Sequence, residues 1–251
     1  LATIYSEADG YAFKSAFGGT WASVRDAATA ASVNSALSYD TNNVLAHIAS
    51  GFFSIPVISR TFIRFDSSGI TSTLSSATLK LYGYTFSGLG GAVIGNTEDF
   101  WVVKSTALTT GVGGDFLVST ADYDAITGWN TSSPTTDGSG NGDQSDNVTL
   151  YSSMYDISGG WSTSGYNSIT LSSSALSDLV SQDTFTICLI SDGDLKDTPE
   201  TIGLFGATPN TMGMYFEDNS GTSKDPYIDY TEGEEEEESV AHNSVFFGTN
   251  F

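Results

Sequence analysis

Apolar and polar residues alternate most cleanly between Arg60 and Tyr84. In Arg60-Thr-Phe-Ile-Arg-Phe-Asp66, Thr61, Ile63 and Phe65 fall on one side of an extended chain, and Phe62, Arg64 and Asp66 on the other. After a Ser/Gly/Thr turn, Ala77, Leu79 and Leu81 oppose Thr78, Lys80, Tyr82 and Tyr84. Period two is the mark of a strand with one face in a core, so the pattern predicts two strands of one β-sandwich. Thr184-Phe-Thr-Ile-Cys-Leu-Ile190 is apolar without alternation, as expected of a central strand covered on both faces.

Shorter stretches extend the set: Asp99–Lys104, Thr149–Asp156, Tyr166–Leu171, Ile202–Phe205, Gly213–Glu217 and Tyr227–Tyr230, most of them bounded by Pro, Gly or Asn turn chemistry. Residues 1–14 read as a strand, an Asp9-Gly10 turn and a second strand. Two helices are predicted. Thr20 can cap a segment of about three turns through Ala31, with Trp21, Val24, Ala28 and Ala31 on one face. Ala175, Leu176, Leu179 and Val180 suggest two turns between Ser173 and Ser181, and Asp122–Ile126 a turn or a single helical turn. The fold expected is all-β: a jelly-roll-like antiparallel β-sandwich with one or two short helices and an extended C-terminal tail.

At 251 residues the chain suits one large domain, assigned here to residues 1–231. An acidic linker follows at 232–238, then a tail at 239–251 whose Val245, Phe247 and Phe251 share one side of an extended chain, with Phe246 on the other. Like-charged runs are normally solvated. An apolar tip beyond such a run suits insertion into a neighbouring subunit, or a clasp over its own domain.

Charge removes whole classes of partner. Thirty acidic against eight basic residues give a formal charge of −22, which repels phosphate backbones and anionic lipid, so nucleic acid is not an expected partner. No apolar run reaches the ~18 residues of a membrane helix, membrane insertion is not expected, and no signal-peptide pattern is visible. Only 15% of residues are charged, so solubility rests on Ser, Thr, Asn and Gly, a composition common in extracellular and virion proteins. With Cys188 the sole cysteine, an intrachain disulfide is excluded, and its apolar setting predicts a small buried residue.

The run Arg60–Ile70 followed by Leu74-Ser-Ser-Ala-Thr-Leu-Lys-Leu-Tyr82 resembles DNRLRE-type β-sandwich domains and similar domains of phage tail and other virion proteins. Ala8-Asp-Gly-Tyr11 with Thr20-Trp21, and Asp225–Tyr230, are similar to the start and end of such domains, so the resemblance spans about residues 1–231. It implies adhesion, glycan contact or particle architecture, and supplies no catalytic residues.

Candidate chemistry is sparse. Asp137-x-Ser139-x-Asn141-Gly142-Asp143 matches the first half of a calcium loop, with oxygen ligands at alternate positions and Gly at the sharp turn. Val148 stands where the bidentate Glu belongs, so Asp146 or a distant carboxylate would have to serve, and calcium is the one cofactor such a loop would take. Asp192–Asp197 forms a second, weaker acidic loop, while the competing reading of both is plain polar turns. Trp129 and Trp161 sit in Gly/Ser/Asn loops where an exposed indole could stack on a sugar, although closing one end of the sandwich is the favoured reading, because large aromatics supply much of a core's buried area. His47 and His242 are the only histidines, and no nucleophile elbow or zinc spacing occurs. Arg60 and Arg64 are expected to pair with carboxylates of the chain itself.

The reading is of a non-enzymatic structural or interaction protein, located in a virion or outside a cell. It would be a subunit of a phage decoration, tail or fibre assembly that docks through its tail on copies of itself or on other virion subunits. A carbohydrate-binding or adhesion module, stabilised by calcium, is the alternative, and a cellular filament or surface-layer subunit shares the physics of the first.

Overall fold

The computed structural model describes residues 1–34, 41–48, 56–87, 99–109, 116–130, 142–157, 160–198, 210–217 and 221–233. The tail, Ile202–Phe205, and Asp137, Ser139 and Asn141 of the calcium-loop expectation lie outside them.

Ten strands pair, all antiparallel. They are β1 (Ala2–Ser15), β2 (Ser32–Asn34), β3 (Thr41–Ile48), β4 (Val57–Asp66), β5 (Leu74–Ser87), β6 (Phe100–Lys104), β7 (Tyr166–Thr170), β8 (Thr184–Ser191), β9 (Asn210–Tyr215) and β10 (Tyr227–Glu232). One layer holds β10 and β7 with the first halves of β1 and β5, and the other holds β2, β4, β8, β6, β3 and β9 with the rest of β1. Two long strands pass between the layers. β1 pairs with β10 through Tyr5 and with β4 from Ser6 onward, and β5 leaves β10 and β7 to meet β9 at Gly83. The ladder β1-β4-β3-β9-β5-β10 therefore closes on itself, which removes most exposed edges. The antiparallel, sandwich-like fold expected from the periodicity is the one observed.

Gly83 sits where β5 changes layers, and a Cβ there would lie 1.9 Å from the Ser162 carbonyl oxygen, so only glycine fits.

The main core lies between the layers. Leu79, Leu81, Ile169 and Ile228 meet Ile63, Phe65, Phe185, Ile187 and Leu189 there. β4 and β8 are also covered on their other face, where Ile58, Phe62, Cys188 and Ile190 pack with Val24, Val103, Tyr123 and Leu195 in a second core. The unbroken apolar run of β8 has this cause, and Cys188 is buried as expected.

Three short helices decorate the sandwich: α1 (Trp21–Arg25), α2 (Ser173–Ser181) and α3 (Asp192–Lys196). α2 has the predicted bounds, a Ser172 cap on Ala175 N–H, and Ala175 and Leu179 turned inward. Thr120–Asp124 forms the single turn expected near Asp122, in a 3-10 conformation.

Four local expectations are corrected. Asp9-Gly10 is not a turn but the middle of β1, because the two halves of that strand pair with different partners rather than with each other. α1 is capped by Thr20 yet stops at Arg25, since the Ala30 and Ala31 amides go instead to Thr120 and Phe13 carbonyls and draw the chain into β2. Thr149–Asp156 makes only single bridges at Leu150, Ser152 and Tyr155, not a continuous strand. Asp192–Asp197 is not an open loop, for the Ser191 hydroxyl accepts from Asp194 N–H and starts α3 there.

Candidate functional site

Two clusters of polar and aromatic side chains stand out, one sealed and one open. The sealed one begins with Arg60, which follows Ile58 and precedes Phe62 on the face of β4 turned to the second core. Its guanidinium has no solvent exposure, and it donates from Nε and one Nη to the two carboxylate oxygens of Asp194 at 2.7 and 2.8 Å. The remaining N–H groups reach the carbonyls of Tyr123 at 2.8 Å and Arg25 at 3.0 Å. Burial alone would lower the Arg60 pKa, but the Asp194 carboxylate outweighs it and the net shift is upward.

Arg25, at the end of α1, is equally buried. It donates to the Asp194, Gly142 and Leu195 carbonyls at 2.6, 2.8 and 3.2 Å and to the Asp26 carboxylate at 3.0 Å. Trp129 lies under both cations, 4.3 Å from Arg60 and 4.9 Å from Arg25, and the Tyr123 ring is 4.3 Å from Arg60. Burial raises the Tyr123 phenol, which stays neutral and donates to the Val24 carbonyl. Asp197 ends α3 in the left-handed conformation (φ 56°), where its carboxylate accepts from Trp21 Nε1 at 2.8 Å and Gly142 N–H at 3.2 Å. Each guanidinium makes four hydrogen bonds to described residues, and the cluster's work is to tie β4, α1, α3, the turn at Tyr123 and the loop at Gly142 together.

The described half of the expected calcium loop belongs to this anchor. Gln144 N–H donates to the Leu195 carbonyl, and the Gln144 side chain holds Asn130 and Asn147. The Asp143 carboxylate accepts from both the amide and the hydroxyl of Ser145, a local turn bond, and Asp146 is exposed. Among the described residues no group of three or more His, Cys, Asp and Glu could hold a metal. Asp194 of the second acidic stretch serves Arg60 instead of a cation.

Neither tryptophan offers a sugar platform. Trp161 is buried in the main core, with Phe100 and Tyr155 edge-on to it. Trp129 is half-buried beneath the two arginines. Large aromatics in Gly-rich loops went inward because the sandwich ends needed closing. Trp101 lies against the second core, its indole donating to Asp192.

The open cluster covers the outer face of the layer formed by β10, β5 and β7. Six tyrosines make a continuous row, Tyr5, Tyr227, Tyr166, Tyr82, Tyr215 and Tyr84, with successive ring centroids 5.6, 4.8, 5.1, 5.4 and 5.6 Å apart. Most neighbours meet edge-on, the geometry aromatic quadrupoles favour. Tyr5 and Tyr84 end the row at 45% and 48% exposure, and the four between them are half-buried. Lys224 lies over Tyr215 at 3.9 Å and Tyr82 at 5.5 Å, while Lys80 donates to the Ser168 hydroxyl. Burial, followed by neighbouring groups, raises the Tyr166 and Tyr227 phenols, so these two stay neutral.

Lysine placement sets this face apart. Arg25, Arg60, Arg64, Lys104 and Lys196 all form ion pairs, Arg64 with Glu7 as the expectation for both strand arginines required. Lys14, whose ammonium donates to the Thr29 carbonyl, Lys80 and Lys224 form none with a described carboxylate, and the last two flank the tyrosines. The row was legible in part: Lys80, Tyr82 and Tyr84 occupy the polar side of the β5 alternation, so their outward direction was readable. Their meeting with Tyr5, Tyr166, Tyr215 and Tyr227 depends on strand order, which periodicity does not give.

Fold and faces together define an all-β, sandwich-like protein with a sealed ionic anchor and an exposed aromatic face. No protein-family model matches the chain, and no curated protein matches it. Among the described residues no helix is long and apolar enough to cross a membrane.

Proposed function

We propose that this protein is a non-enzymatic structural subunit of a repeating assembly, in a virion or outside a cell, that meets its neighbours through exposed surface rather than through a chemical site. The observation that carries this reading is the tyrosine row with its two lysines, which have no carboxylate partner among the described residues. Tyrosine is enriched where proteins meet, since its ring is apolar and its hydroxyl satisfies polar partners. The charged groups that could otherwise suggest chemistry, Arg25, Arg60 and Asp194, are buried and hydrogen-bonded to one another and to backbone carbonyls. Composition poor in charge and rich in Ser, Thr and Gly suits a virion and an extracellular assembly alike, and the resemblance to DNRLRE-type and phage virion domains supports the phage decoration, tail or fibre subunit.

Sedimentation velocity over a range of concentrations, with negative-stain imaging of the products, tests it. Concentration-dependent assembly into regular particles is expected, and a monomer at every concentration overturns it.

A second reading, glycan binding, moves from the tryptophans to Tyr5 and Tyr84, whose half-exposed rings and neighbouring hydroxyls could take a sugar. Binding on a glycan array that is lost in Tyr84→Ala would establish it.

A further inference from the structure

We infer that the tyrosine face receives the acidic C-terminal segment of a second copy of this chain, residues 234–251, with Lys80 and Lys224 holding its glutamates. This rests on the assembly reading above and names its interface.

Charge makes the first half of the case. The chain carries −22 overall, so copies repel across most of their surfaces. The tyrosine face carries Lys80 and Lys224 without a carboxylate partner among the described residues, with Asp229 the carboxylate beside Tyr227 on the same side of β10. The densest negative charge in the sequence is the run Glu234–Glu238. Five adjacent carboxylates repel one another, and cations at the receiving surface relieve that repulsion.

Geometry makes the second half. Tyr227, at the start of β10, lies opposite Lys80, whereas Glu232, at its end, lies opposite Leu74. Six residues of β5 separate those positions, about 20 Å of strand. Gly233 N–H then donates to the Thr73 carbonyl, so the chain leaves the layer heading away from the lysines. The lysines and the end of β10 therefore occupy opposite ends of the same layer. Copies placed end to end bring the glutamates of one onto the lysines of the next. A symmetric pairing of two tyrosine faces would instead crowd four lysines together. The contact is head-to-tail, the kind that propagates into a ring or filament. Beyond the glutamates, Val245, Phe246, Phe247 and Phe251 supply apolar surface for the tyrosine rings.

Charge reversal in the full-length chain tests the inference. K80E/K224E and E235K/E237K should each raise the dissociation constant for self-association by about tenfold or more, with melting temperatures unchanged. Mixing the two variants should restore association, because each then presents an end complementary to the other. Association of the parent should weaken as NaCl rises from about 50 mM to about 500 mM. If the parent assembles and both variants assemble equally well, the interface is wrong while the assembly reading stands. If the mixture fails to associate, the segment does not bind in trans. A parent that remains monomeric defeats both. A polysaccharide pull-down that depends on Lys80, Lys224 and Tyr84, without self-association, assigns the face to glycan and overturns the inference.

Discussion

The same chemistry, cations against aromatic rings, occurs at two places with opposite consequences. In the second core Arg25 and Arg60 lie on Trp129 and Tyr123, with every guanidinium sealed from water. On the outer face Lys224 lies on Tyr215 and Tyr82, and the ends of the row are near half exposure. Burial decides what the motif does. A desolvated cation must have its partners supplied by the fold, so the arginines bind the fold together. A solvated one owes the fold little and is available to something else.

The contrast is sharpest for Asp194. Asp194→Ala leaves the buried Arg60 guanidinium without its carboxylate, and the expected loss is about 3–5 kcal/mol of unfolding free energy. Denaturant titration measures it. Replacing the pair by apolar groups, Arg60→Met with Asp194→Leu, should recover much of the loss, since the burial cost disappears with the charges. A double variant as unstable as the single one would show that the cluster is held by its backbone bonds instead. Tyr123→Ala should cost a similar ~3–5 kcal/mol through the cavity it opens beneath Arg60.

Gly128 gives the next largest effect. It precedes Trp129 with φ at +87°, and a Cβ would stand 2.0 Å from the Asn147 carbonyl oxygen. Gly128→Ala should therefore cost about 1–3 kcal/mol by backbone strain and by shifting the ring under the arginines. An unchanged denaturation midpoint would mean that Trp129 is not held from this side.

How far this was legible in the sequence differs between the two regions for a physical reason. Period two at Arg60–Asp66 and Ala77–Tyr84 marked strands and their faces, because alternation follows from strand geometry alone. It also showed Tyr82 and Tyr84 on the outer side. The anchor was half visible: that Arg60 needs an internal carboxylate follows from charge, but not that Asp194 supplies it, 134 positions away. Asp194 sat in a stretch that read as an acidic loop, since a one-turn helix is too short to show periodicity. Asp9-Gly10 misled because a dipeptide favours a turn only when the flanking strands pair with each other, and those of β1 do not. Trp129 and Trp161 were read as closing the ends of the sandwich, and both lie inward, although their Gly/Ser setting says nothing about which neighbours they meet.

Acid should weaken the sandwich in part through Asp178 of α2. Burial by itself pushes this carboxyl upward, but hydrogen bonds from the Tyr151 hydroxyl and the Lys104 ammonium outweigh it, and its pKa lies below the ordinary value. A folded-state pKa below the unfolded one means stabilisation present in full above the unfolded value, about 4, and lost as pH falls through the folded one. Asp178→Asn should lower the melting temperature at neutral pH, where the stabilisation is present in full, and flatten its fall on the acid side, so that the two proteins converge at low pH. A slope equal to that of the parent would put acid sensitivity elsewhere.

Tyr84→Ala should do least to the fold and most to decide the comparison. The ring is 48% exposed and touches the row only through Tyr215, so its removal should move stability by no more than about 0.5 kcal/mol. Tyr123→Ala removes the same side chain from beneath a sealed cation at several times that cost. If the outer row is an interaction surface, Tyr84→Ala should impair self-association while the denaturation curve stays superimposable on the parent's. If both curve and assembly are unmoved, the row is only a stiffening of the layer, and exposure of aromatic rings beside unpaired lysines would not by itself mark a contact surface in this fold. If the denaturation curve shifts substantially, the outer tyrosines contribute to the sandwich as the inner ones do, and the distinction between a sealed anchor and an available face fails at its open side.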